Sequence, residues 1–149
     1  MRNLKPQLIE LLKSGGCTPR ISKLARNLHT RSSTIHYNIK SMEKDGTVRS
    51  YKAVFDYKKI GEGFCTFVLI HLSPDEYSDP LKIANMLAAY PEIESIDVVT
   101  GEWELLIKVR TASIEEYYTF ATRVLSIKGI ARTQSLNSLK QVKTEFVIL

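Results

Sequence analysis

The spacing of apolar residues changes once along this chain, and that change constrains the fold more than any other feature. Up to Gly46 the apolar residues recur every three or four positions, the period of a helix with one buried face. Beyond Gly61-Glu62-Gly63 they come as alternating or continuous runs, broken by two further helical stretches, which is the pattern of strands crossed by helices. A chain of 149 residues with this order has room for two small units and a connector. The expected division is residues 1–50, a linker strand and hinge at 51–63, and a second domain at 64–149.

Three helical patterns occupy the first third. The first follows Asn3 as N-cap, carries Leu4, Leu8, Ile9, Leu11 and Leu12 largely on one side, and stops at Ser14-Gly15-Gly16. The second is expected to be capped by Thr18, with Pro19 at its first position and a buried stripe of Ile21, Leu24, Ala25 and Leu28. After the break His29-Thr30-Arg31 a third helix is expected over Ser32 to Asp45, closed by Gly46 and buried through Ile35, Ile39 and Met42. The side opposite that stripe holds Ser33, Tyr37, Lys40 and Lys44, with Thr34 and His36 at its flanks. Two helices joined by a short turn, the second rich in hydrogen-bonding side chains near its start, have the layout of a helix-turn-helix.

Charge supports the same reading. Residues 1–50 hold ten Lys/Arg against three Asp/Glu, a balance of +7, whereas residues 51–149 hold eleven against thirteen, a balance of −2. The net charge of +5 is therefore a property of the first third. Local basicity of this kind is what neutralising a phosphate backbone requires, although a solvated basic face would give the same balance. In helix-turn-helix geometry Arg31, Ser32, Ser33, Thr34, His36 and Tyr37 approach base edges, and Lys40 and Lys44 lie nearer phosphates. Arg20 and Arg26 either clamp phosphates from the second helix or are ordinary surface arginines.

The rest of the chain reads as α+β. Val48 to Asp56 alternates enough for a short strand, and Phe64 to Leu72 is apolar enough for the middle of a sheet. Pro80 opens a helix carrying Leu81, Ile83, Ala84 and Leu87, which gives way at Tyr90-Pro91. Ile93 to Thr100 and Trp103 to Arg110 form a hairpin about Gly101-Glu102, with Trp103, Leu105, Ile107 and Val109 on one face. Ser113-Ile114-Glu115-Glu116 is a capping box for a helix with Ile114, Tyr117, Tyr118, Ala121 and Leu125 inward. Lys128-Gly129 ends it, Ile130 to Leu139 gives a fourth strand, and Thr144 to Leu149 offers a fifth. The order βαββαβ is that of a ferredoxin-like domain, an antiparallel sheet with both helices on one face. The other face is left for a second copy, so a homodimer on this sheet is expected.

Several classes are excluded. No apolar run of 18 residues offers a membrane span, and Arg2, Lys5, Pro6 and Glu10 interrupt the start where a secretory signal needs an apolar core. A cytoplasmic address and no membrane partner are expected. Cys17 and Cys65 stand far apart without a second Cys or His at ligand spacing, so both read as packing residues, with neither zinc nor a disulfide. No Ser/His/Asp set or phosphate loop is present. The chain is expected to be no enzyme, without cofactor, metal or catalytic residue. His71, the one histidine beyond the first three helices, reads as a packed strand residue.

Taken together, Leu24-Ala25, Ser33-Thr34-Ile35, Ile39 through Glu43-Lys44-Asp45-Gly46, the Val48 to Gly61 connector and Gly101-Glu102-Trp103-Glu104 resemble the Lrp/AsnC, or feast/famine, family of transcription regulators. The resemblance spans nearly the whole chain. It implies a tri-helical, winged helix-turn-helix domain that binds double-stranded DNA, and a ferredoxin-like domain that forms dimers, often octamers. It also implies an effector, usually an amino acid, beside the hairpin turn and the fourth strand, at Gly101, Glu102, Trp103 and Glu104 with Thr133, Gln134 and Ser135 opposite. Glu104 stands where the family usually has Asp. Two other readings remain open at this point: an architectural DNA-binding protein that ignores small molecules, and an enzyme similar to the sirohaem decarboxylases.

Overall fold

The computed structural model describes residues 3–145, 147 and 148, the last by its backbone alone. It divides into two compact units, 1–54 and 55–149.

The first unit holds α1 (Lys5–Lys13), α2 (Ile21–Asn27) and α3 (Ser32–Lys44). Two of these helices end in the same way. Gly15 and His29 both take positive φ, at 98° and 49°, and the next residue donates back across the last turn, Gly16 to the Leu11 carbonyl and Thr30 to the Ala25 carbonyl. This is the Schellman closure, normally made by glycine. At His29 it reverses the chain between α2 and α3, which are in contact. Each contributes one buried residue, Ala25 and Ile35.

Several details of the first unit differ from expectation. Asn3 accepts the Lys5 N–H, but Leu4 is the residue at the cap. The second helix starts at Ile21 with Arg20 at its cap, so Thr18 and Pro19 lie outside it. Leu4, Leu8, Leu11, Leu28 and Met42 are exposed. Three short helices cannot cover every apolar face they carry, and Leu28 already stands past the last turn of α2. No strand forms between 46 and 63 among the described residues, so the expected linker strand and the wing are absent there. A strand requires a neighbour to complete its ladder, and the connector has only isolated bonds such as Ala53 N–H to the Leu12 carbonyl.

The second unit opens with a 3-10 turn (Tyr57–Ile60) whose start Asp56 caps through the Lys58 N–H. It continues as β1 (Phe64–Leu72), α4 (Pro80–Leu87), β2 (Ile93–Val98), β3 (Leu105–Thr111), α5 (Ile114–Val124) and β4 (Ile130–Asn137). The four strands form one sheet in the order β2-β3-β1-β4, every pair antiparallel. This is the expected ferredoxin-like βαββαβ sheet, with the apolar β1 in its interior. Val68, Ile70, Leu72, Leu105, Ile107 and Val109 turn one sheet face onto Ile83, Leu87, Phe120 and Val124 of the two helices. Gly129 fits where a side chain would not: its φ is +104°, and a Cβ there would sit 2.7 Å from Ile83 Cδ1.

The expected inward faces of both helices need adjustment. Leu81 is exposed in α4. In α5 Ile114 and Tyr118 are also exposed, whereas Tyr117, Phe120 and Val124 are buried, so the stripe is rotated by about one position. The forward half of the capping box forms, since Ser113 Oγ accepts the Glu116 N–H, while the Glu116 carboxylate accepts the N–H of Ala112, one residue before the cap. The hairpin is looser than a two-residue turn, since the last ladder pair is Val98 with Leu105. The fifth strand splits into β5 (Lys143–Thr144) and β6 (Val147–Ile148), which pair with each other and not with the main sheet. Phe146 and Leu149, within that expected strand, lie outside the described residues.

Candidate functional site

The first candidate surface is the outer side of α3. Ile35 is buried and Ile39 half-buried on one side, while Arg31, Ser32, Ser33, Thr34, His36, Tyr37, Lys40 and Lys44 are all exposed, as is Arg20 on α2. Tyr37 is 75% exposed, far more than a tyrosine retained for packing. Arg31 sits at the α3 cap without a side-chain cap bond, so the helix start faces solvent with N–H groups suited to an anion. Lys40 is held 2.8 Å from Glu43, whose other oxygen accepts from Tyr51 at 3.3 Å. The Glu43 hydrogen bond pushes the Lys40 pKa up and lowers that of Glu43. Lys40 is thus charged and exposed, and a phosphate has to compete with Glu43 for it. Ser33, Tyr37, Lys40 and Lys44 are kept on one side by α3 itself, because positions three and four apart share a face, and Arg20 is exposed at the cap of α2.

The second candidate surface is the hairpin end of the sheet. Glu104 is only 7% exposed. Its carboxylate accepts the Leu72 N–H at 2.8 Å and lies 3.1 Å from His71 Nδ1, while the Glu104 N–H donates to the Ile70 carbonyl. His71 Nδ1 also meets the Glu102 carbonyl at 3.1 Å. Glu102 pairs with Arg132 of β4, and the Arg132 guanidinium lies 4.6 Å from the Trp103 ring centre. His71 meets the same ring edge-on. Gly101, with φ +115° and open space where a Cβ would point, makes the turn that brings Glu102 and Trp103 back over the sheet.

The structure therefore brings Glu102, Trp103 and Glu104 together, but adds His71 and Arg132. Thr133, Gln134 and Ser135 do not converge on that point. They alternate faces along β4, with Gln134 opposite Leu69 on the open face and Ser135 bonded to the Tyr117 hydroxyl of α5. Sequence reasoning missed Arg132 and set His71 aside. The signal that finds them is register: β1 lies between β3 and β4, and His71 pairs with Arg132.

The face of the sheet away from the helices carries Phe67, Leu69 and Leu106, half-buried, with Leu136, 46% exposed. Beside them Glu94 accepts from both Lys108 and Arg110, at 2.8 and 2.6 Å. Burial raises the Glu94 pKa, but the hydrogen bonds from Lys108 and Arg110 outweigh it and hold the carboxyl below its ordinary value. Among the described residues no three His, Cys, Asp or Glu side chains are grouped to hold a metal, and no helix is long and apolar enough to cross a membrane. Cys65 is buried, which pushes its thiol pKa up, and Cys17 is half-buried.

A helical unit with an exposed polar strip on its third helix, followed by a ferredoxin-like domain with a charged hairpin end, defines a class of two-domain regulators. Known proteins narrow the class. Residues 65–148 match the family model described as the Lrp/AsnC ligand binding domain. An uncharacterized HTH-type transcriptional regulator of Pyrococcus furiosus is 32% identical over 139 residues, covering 93% of this chain and 92% of its own. Among solved structures, AsnC of Escherichia coli aligns with a TM-score of 0.73 at 22% identity, over 99% of this chain and 97% of its own. A feast or famine regulatory protein of M. tuberculosis, complexed with L-methionine, aligns with a TM-score of 0.73 at 25% identity, over 95% and 92%. The chain belongs to the Lrp/AsnC family of transcription regulators.

Proposed function

We propose that this protein is a sequence-specific DNA-binding regulator that pairs through its sheet and changes its DNA binding when a small molecule, most simply an amino acid, occupies the hairpin end. The observation that carries the reading is the outer strip of α3, where Ser33, Thr34, His36 and Tyr37 are exposed together beside the one buried anchor, Ile35. Hydroxyl, imidazole and phenol groups donate and accept at base edges, and Lys40, Lys44 and Arg20 add phosphate contacts. The amino-acid part is supported by the methionine-bound M. tuberculosis relative and by the paired charges at the hairpin. Glu102 and Glu104 suit an ammonium group, and Arg132 a carboxylate. The apolar centre of the open sheet face suits a second copy, with octamers as a further assembly. The regulators named among the relatives support a role without catalysis, in the cytoplasm where the DNA lies.

Selection of bound fragments from the organism's genomic DNA, at moderate salt with and without each amino acid, tests this. The expected result is a small set of related fragments whose recovery changes with one or a few amino acids. Recovery of random fragments, unaffected by any amino acid, contradicts it.

A further inference from the structure

At the opposite end of the sheet from the hairpin turn, a cleft of roughly 370 Å³ opens between the start of β1 and the chain after β4, lined by Tyr57, Lys58, Arg110, Leu139, Lys140 and Gln141 among others. We infer that this cleft binds a small organic anion, a carboxylate or phosphate on an apolar body, at a site separate from the hairpin. The space is that of a small-molecule site. Its wall is built around Arg110, 8% exposed. That guanidinium is stacked 3.6 Å from the Tyr57 ring centre and donates to Gln141 Oε1 at 2.7 Å and Glu94 at 2.6 Å. Ring, amide and carboxylate together fix its orientation, which is how a recognition arginine is prepared.

Charge decides the sign of the ligand. Behind the wall Lys108 and Arg110 share the one carboxylate of Glu94, so one buried and one half-buried cation face a single half-buried carboxylate. The thiol of Cys65, also in the cleft, is pushed toward its neutral form by burial and supplies no second negative charge. Asp56, the carboxylate that lines the cleft, accepts the Lys58 N–H at its own turn and lies 3.7 Å from Lys59. Lys58 and Lys140 add two more cations. An excess of positive charge gathered partly out of water is costly unless it is matched, and an entering anion matches it. Tyr57 and Leu139, which is 97% exposed, give the body of the ligand apolar surface to cover.

The test is calorimetric titration of the full chain at low ionic strength with benzoate, phenyl phosphate and inorganic phosphate. Saturable binding of at least one organic anion, about tenfold tighter than inorganic phosphate, is expected, and the better of the two tells a carboxylate ligand from a phosphate one. Lys140→Ala and Gln141→Ala change side chains on the segment after β4 and test the site without removing the buried arginine. Each should weaken binding severalfold, up to about tenfold, and Arg110→Gln should abolish it. Arg132→Gln, at the hairpin end, should leave it unchanged. No saturable heat with either organic anion overturns the inference. So does unchanged affinity in both Lys140→Ala and Gln141→Ala, or loss of binding in Arg132→Gln, which would place the anion at the hairpin.

Discussion

Glu94 shows how much one side chain can carry. It is the shared acceptor of Lys108 and Arg110, with 15% of its own surface exposed. Glu94→Gln keeps the shape and leaves one buried and one half-buried cation without their anion, so stability should fall toward the lower end of the ~3–5 kcal/mol found when one partner of a buried pair is removed. Urea titration reads this directly. The pH dependence follows from the lowered pKa. Glu94 contributes stability that is present above the ordinary carboxylate range and is lost as pH falls through its lowered folded value. The acid limb of the stability curve should therefore be shallower in Glu94→Gln. On α3, Lys40→Ala should weaken binding to all duplexes alike and reduce the salt slope by about one. Ser33→Ala or Tyr37→Phe should change which duplex is preferred. Equal losses on all sequences for the three variants would contradict these separate roles. Apart from Met42, expected inward and found exposed, side chains on α3 were legible in the sequence because helical period alone sorts inward from outward. Arg132 was not, since its partner Glu102 stands 30 residues away and only the strand register joins them.

Elements were legible where local signals agreed and misplaced where a tertiary contact decided. The Ser113 cap starts α5 where the sequence indicates, yet the buried side of that helix is set by how it lies on the sheet. The expected stripe of Ile114, Tyr117, Tyr118, Ala121 and Leu125 has helical spacing, and so does the neighbouring one of Tyr117, Phe120 and Val124. Packing on β1 and β3 selects the second, in which Phe120 is 1% exposed and Tyr118 is 70% exposed. Phe120→Ala should cost about 3–5 kcal/mol in denaturant titrations, and Tyr118→Ala should stay within about 0.5 kcal/mol. A reversal of that order would show the helix seated the other way. The connector failed as a strand for a related reason. Alternation in Val48 to Asp56 describes which side chains suit a strand, whereas the strand itself exists only when another backbone lies alongside.

For the whole molecule, the change of apolar period near Gly61 announced both the helical first unit and the βαββαβ order of the second. An open sheet face was expected, but its residues needed the structure, because Phe67, Leu69, Leu106 and Leu136 come from three strands. If that face joins two copies, Leu136→Glu should shift the protein toward monomer in sedimentation. It should also weaken duplex binding more than any single phosphate contact does, because two linked heads gain from effective concentration. Full dimerisation of that variant would remove the sheet from the interface.

The central claim is that the outer strip of α3 enters a DNA groove, and a photo-crosslinker placed on Tyr37→Cys tests it at the point of contact. Cys65 is buried and Cys17 half-buried, so the new thiol is the accessible one to label. With a selected genomic duplex the account predicts cross-links to bases at two places about one helical turn, or a multiple of it, apart. Cross-links to protein alone, or to DNA at no preferred position, would contradict it.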